Sequence, residues 1–299
     1  MTRTTPPRPV DFVTVFPELA PLARTAIRLH PRPGRPSMHD SSVGGPLLWP
    51  ATEPWPYCHT DDHHVAMSPE SDGPIAMVPV AQLYVRDVPG LPLPEGSDLL
   101  QVLWCPFEHD NDGLPKTVLF WRSAATVTDV LVEPPQPADF APDLAPEPCL
   151  INPEQVIEYP RSAELERELG SRVAQWTMPQ IPGVEFDVEE VDVPYDFLCT
   201  APGWKIGGFV RWGMQDPYPN PCPTCGTPTE PLLTIASEEW DSFDKDYWVP
   251  FEDQAANIAW GDIQGGPSGP TRICVSDVND QIIRVCPTSH EHPHIQMMQ

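Results

Sequence analysis

Thiols and imidazoles are the side chains of this chain whose spacing bears most directly on chemistry. Pro221-Cys222-Pro-Thr-Cys225-Gly226 has the form of a metal knuckle. Two thiolates three positions apart can point at one ion, and the glycine that follows lets the chain turn so that backbone amides face the sulfurs. A tetrahedral zinc needs two further ligands. Cys286 with His290, spaced Cys-x3-His, is one candidate pair, and the loop Cys58, His59, Asp61, His63 and His64 offers another. Spacing does not choose between them; the expected set is Cys222, Cys225, Cys286 and His290 around a structural zinc, with free thiols as the alternative. A redox pair is disfavoured, because no helix start or thioredoxin-like unit follows the knuckle.

The loop Cys58-His-Thr-Asp-Asp-His-His64 is the densest group of ligand-type side chains in the sequence. Neutral imidazole plus carboxylate can bind a catalytic metal, so a metal-dependent hydrolase built on this loop is the competing functional class. The regular i, i+4 ligand spacing of His-Glu-x-x-His is absent, and an exposed polar loop explains the composition equally well. His290, His292 and His294 alternate near the C-terminus and read as a frayed tail with incidental metal affinity. No Gly-x-Ser-x-Gly elbow nominates a nucleophile. The glycine-rich stretch Gly261–Gly269 precedes a strand instead of opening a helix, so it lacks the amide-lined terminus that binds phosphate. No catalytic residue is nominated.

Charge narrows the partners. Seventeen Lys and Arg stand against 43 Asp and Glu, a formal net charge of −26, which repels nucleic acid and anionic membranes and suits a basic protein or peptide. Glu238–Asp253 mixes seven acids with five aromatics around one Lys. Aromatics fill pockets while carboxylates select cations, so Trp240, Asp241, Asp244, Asp246 and Trp248 are the expected partner-binding residues. The bland alternative is that the aromatics of this stretch pack inward. A second acidic stretch, Val184–Asp196, alternates with apolar residues and reads as an edge strand with a solvated face.

The elements that must carry these groups are mostly strands. Forty-three prolines in 299 residues exclude long helices as the dominant element. Short apolar runs bounded by Pro or Gly predict strands over Ile75–Val80, Leu99–Cys105, Thr117–Trp121, Leu232–Ala236, Thr271–Ser276 and Gln281–Cys286. Helices are expected over Pro17–Leu29 and Ala163–Trp176, with a short helical turn from Asn152. Glu133–Pro148 holds six prolines and little apolar content, and reads as a connection between halves. The organisation expected is an N-terminal extension (1–40), a first half (41–132), a Pro-rich connection (133–150) and a second half (151–299). No run approaches the ~18 apolar residues of a membrane span, and the first residues lack a signal peptide's apolar core, so a cytoplasmic location with reduced cysteines is expected.

Val43-Gly-Gly-Pro-Leu-Leu-Trp49 with Pro54-Trp-Pro56 recurs as Ile206-Gly-Gly-Phe-Val-Arg-Trp212 with Pro217-Tyr-Pro219, five identities over fourteen positions at a constant offset. This predicts an internal duplication in which paired glycines shape a turn and an aromatic lies across the bare backbone. No Gly-Lys-Ser/Thr follows either pair, so phosphate binding is not expected. With Lys205-Ile-Gly-Gly208, Cys222-Pro-Thr-Cys225 and Trp260-Gly-Asp262, the chain resembles the bacterial YwqG-like family of uncharacterised proteins. More distantly it resembles the eukaryotic programmed cell death protein 2 group. The resemblance, spanning roughly residues 40–290, implies a duplicated, mainly antiparallel, β-rich α+β fold with a few peripheral helices. The eukaryotic group implies an escort for a basic ribosomal protein, and the bacterial family, found beside toxin genes, implies an immunity protein. The reading carried forward is a non-enzymatic acidic binding module for a basic partner, braced by zinc.

Overall fold

The computed structural model describes residues 2–60, 62–64, 73–109, 113–178, 193–241, 245–255 and 265–299. Of the expected strand Val184–Asp196, residues 184–192 lie outside the described residues, Val193–Pro194 is a strand and Tyr195 opens a helix; Asp61, Asp244, Trp260 and residues 261–264 of the glycine-rich stretch also lie outside.

The main strands run in chain order as β1 (Arg24–Arg28), β2 (Arg32–Pro33), β3 (Ser42–Val43), β4 (Val78–Tyr84), β5 (Leu99–Trp104), β6 (Thr117–Arg122) and β7 (Cys149–Leu150). They continue as β8 (Glu154–Glu158), β9 (Lys205–Gly207), β10 (Glu230–Ala236), β11 (Asp280–Val285) and β12 (Ile295–Met298). Among the described residues four short helices accompany them: α1 (Phe12–Val15), α2 (Arg167–Ala174), α3 (Tyr195–Leu198) and α4 (Lys245–Trp248). The fold is β-rich and antiparallel with few helices, as the sequence indicates.

Two six-stranded sheets each end in four strands laid down in chain order, β3-β4-β5-β6 and β9-β10-β11-β12, and differ beyond them. The first reads β2-β7-β3-β4-β5-β6 and the second β8-β1-β9-β10-β11-β12. Their central antiparallel pairs, β4 with β5 and β10 with β11, also share a register. Val78 pairs with Trp104 and Glu230 with Val285, and each ladder bulges after the second residue, Pro79 or Pro231. Proline has no N–H for the ladder, so a bulge is where a sheet tolerates it. One cluster of buried side chains draws Val80, Val102 and Trp104 from the first sheet and Ile206, Leu233 and Ile283 from the second, so the two sheets share a core.

The sheets also trade strands. β1 pairs with β8 and β9 of the second sheet, after which the chain crosses at His30-Pro31 to β2 of the first. The return crossing runs from β7 to β8, and the two crossings are tied together by the Asn152 amide donating to the Leu29 carbonyl at 2.7 Å. Residues 1–40 therefore supply strands to both sheets. The expected helix over Pro17–Leu29 is only a 3-10 turn, Pro17–Leu22, followed by β1. Pro21 lacks an N–H, and burial of Ala26 and Ile27 in the middle of a sheet outweighs the local helical spacing. The helical turn expected from Asn152 does not form, since residues 151–153 lead straight into strand β8, and Ala163–Trp176 is helical over Arg167–Ala174 after a 3-10 turn at Ser162–Glu164. Thr271–Ser276 is no strand: Arg272 and Ser276 take positive φ, and only Val275 forms a bridge.

The recurring glycine motif behaves alike in both sheets at its first glycine and at its aromatics. Gly44 and Gly207 take φ of +62° and +67°; Gly208 is also positive, whereas Gly45 is not. Trp49 packs on Trp55 at 5.0 Å between ring centroids, and Trp212 packs on Tyr218 at 5.5 Å. A side chain at Gly208 would strike the Glu158 carboxylate. That carboxylate is fully buried and accepts from Lys205 Nζ at 2.7 Å and from the Ala201 and Phe209 amides at 2.8 and 2.7 Å. The Lys-Ile-Gly-Gly motif thus seats a buried, fully hydrogen-bonded ion pair under a turn, a structural use of its lysine.

Candidate metal centres

Among the described residues, two groups of four side chains bring their donor atoms within 4.8 Å of one another: Cys58, His63, Cys105 and His109, and Cys222, Cys225, Cys286 and His292. Each group can hold one metal ion.

In the second sheet the knuckle is a tight hairpin. The Cys222 amide donates to Thr227 O and the Gly226 amide to Cys222 O, with Gly226 at φ +73°. Cys286 arrives directly after β11. His292 Nδ1 lies 3.4 Å from Cys222 Sγ and 3.3 Å from Cys286 Sγ, and the sulfurs of Cys225 and Cys286 are 3.5 Å apart. Around a tetrahedral ion held by thiolates at about 2.3 Å and imidazoles at about 2.0 Å, neighbouring donors sit roughly 3.3–3.8 Å apart. A disulfide would need the sulfurs at about 2.05 Å. The observed spacings are tetrahedral edges. The Thr288 hydroxyl and the His292 ring hold the Cys286 thiol down to about 5, against the cost of burial.

His290 is not in this group, which corrects the expected fourth ligand. Its ring packs edge-on against Trp121 at 5.0 Å, and burial lowers its basicity. The turn closed by the His292 amide on Ser289 O swings His292 back over the sulfurs, so the spacing is Cys-x5-His. His294 is taken up elsewhere, with Nε2 2.8 Å from the Thr117 hydroxyl, so the three histidines do not form a common tail site.

The first sheet holds the other group at the matching place. Cys58 lies in a short strand, Tyr57–Cys58, paired with Ile75–Ala76. Cys105 follows β5 as Cys286 follows β11. His63 stands directly across a two-residue ladder from His109, with the rings 4.8 Å apart. His109 Nε2 is 4.0 Å from Cys58 Sγ, while its Nδ1 is 3.0 Å from Asp62 Oδ1, and Lys116 Nζ clamps the same carboxylate at 2.9 and 3.0 Å. A carboxylate that fixes one ring nitrogen so that the other can ligate is the usual support of a metal-bound imidazole. His63 Nε2 is buried and has no hydrogen-bond partner among the described residues, as expected of a nitrogen reserved for an ion. Contact with Cys105, with His109 and Thr60 adding to it, draws the Cys58 thiol down to about 2, while the same contact and burial push Cys105 up.

Of the loop read as a possible hydrolase site, the structure brings Cys58 and His63 into this group and leaves His59 exposed. Cys105 and His109 went unnoticed in the sequence. The signal was there: Cys105-Pro-x-x-His109 and Cys286-Pro-x-x-His290 each follow a strand.

The partner-binding aromatics turn inward. Trp240 and Trp248 are 3% and 5% exposed; Trp248 Nε1 donates to Phe197 O, and the Arg32 guanidinium lies over the Trp240 ring. Asp241 is within 3.8 Å of Arg211. Asp246 sits on α4. Burial of both tryptophans removes the anchors on which a docking face there would depend. No family model and no curated protein matches the chain.

Proposed function

We propose that this protein is a non-enzymatic acidic binding module for a basic protein partner, braced by one structural zinc ion in each sheet. The observation that supports it is the pair of four-donor sulfur and nitrogen sets, which would fill a tetrahedral ion's coordination and leave no position for water or substrate. A hydrolytic metal keeps an open position, so the donor sets favour scaffold over catalyst. Thiolate–imidazole sets select zinc over magnesium or calcium. The net charge of −26 supports the choice of a cationic partner, whether escorted or, as an immunity protein's toxin would be, neutralised.

Elemental analysis of the purified chain should return about two zinc ions per molecule. Affinity capture at low salt should recover a cationic protein that is released as the salt rises past the screening range. A metal-free protein of unchanged thermal stability would remove the zinc from this reading, and capture of no cationic protein at either salt would remove the partner.

A further inference from the structure

With the tryptophans of 240–248 buried, a basic partner needs another foothold, and the molecule offers one. A cleft of about 830 Å³ lies between the 3-10 turn Pro17–Leu22 and helix α2. Its floor is apolar: Leu22, 39% exposed, faces it together with Leu165, Leu169 and Phe209. An exposed leucine over a half-buried apolar floor leaves surface that a partner would cover.

The charge around the cleft is lopsided once existing pairs are set aside. Arg172 is committed to Glu18 at 2.8 Å, and the Arg24 guanidinium lies on the Phe209 ring at 4.6 Å. Glu166 and Glu168, both exposed, have no ion-pair partner among the described residues. Four carboxylates, Glu18, Glu164, Glu166 and Glu168, line the cleft against the two guanidiniums of Arg24 and Arg172, so it is net negative beside apolar surface that a purely ionic ligand would not use.

We infer that this cleft docks a Lys/Arg-rich segment of the basic partner through an aliphatic anchor seated on Leu22 and Leu169 and cationic side chains paired with Glu166 and Glu168. The inference rests on the binding-module reading and gives it a location. Aliphatic burial supplies the affinity, and the carboxylates supply orientation and encounter rate.

The test is fluorescence anisotropy of a labelled amphipathic Lys/Leu peptide against the full zinc-loaded chain. Glu166→Lys with Glu168→Lys, and separately Leu22→Asn, should each weaken binding about tenfold. A control pair of equal charge change at exposed, distant acids, Glu133→Lys with Asp216→Lys, should weaken it far less. All substituted side chains are exposed, so folding is expected to survive, and circular dichroism checks it. Equal weakening by both pairs would overturn the cleft while leaving an acidic binding module in place. No binding by the unsubstituted chain at low salt would overturn both.

Discussion

At the level of single residues, the second metal group turns on which histidine of the C-terminal series faces the sulfurs. Cys286-Pro-x-x-His290 reads as the ligand pair by spacing, yet a turn two residues longer places His292 Nδ1 within 3.4 Å of two thiols and leaves His290 against Trp121. Spacing reports how far apart two residues are along the chain, not how a turn between them folds back. His292→Ala should therefore lower the zinc content by about one ion per chain, whereas His290→Ala should leave it near two, as read by elemental analysis. The Cys222 and Cys225 half of the group was legible because both ligands lie on one local turn. Cys105 and His109 showed only as an echo of the Cys-Pro-x-x-His spacing at Cys286, because strand pairing, with His63 opposite His109, is what brings them to Cys58 and His63.

Among the elements, the strands were legible where apolar runs are long, as in β5, β10 and β11. They were misread where strand and helix signals conflict, as in β1, whose spacing suits a helix and whose burial between β8 and β9 makes it a strand. The register shared by the β4–β5 and β10–β11 pairs exposes one discordant position. The first residue of β5 is Leu99, fully buried, and the first residue of β11 is Asp280. Desolvation lifts the Asp280 carboxyl to about 7, with Arg211 and Lys205 only partly opposing it. The folded chain then holds this proton more tightly than the unfolded chain. Stability from this group is complete below the ordinary carboxyl range and is lost as the pH rises towards 7. Asp280→Asn should thus gain stability relative to the parent on the order of 2 kcal/mol at about pH 8 and little at about pH 4, measured by urea denaturation.

For the molecule as a whole, the trading of β1 and β7 means that neither sheet is complete without chain from the other side of a crossing. The shared core adds to this coupling. Loss of one centre should then be felt in both sheets. In hydrogen exchange, Cys105→Ser is expected to lower protection in β10 and β11 as well as in β4 and β5, and a loss confined to the first sheet would refute that coupling. From sequence alone came the β-rich class, the excess of negative charge, the positive-φ turn at Gly44 and Gly207 and the Cys-x-x-Cys knuckle. All of these depend on composition or on residues within one turn or strand of each other. Tertiary structure alone decided the exchange of strands, the identity of the remaining metal donors, the inward packing of Trp240 and Trp248, and the exposed cleft beside α2. Those depend on which distant segments meet, and that is set by burial and pairing summed over the whole chain, which no local window contains.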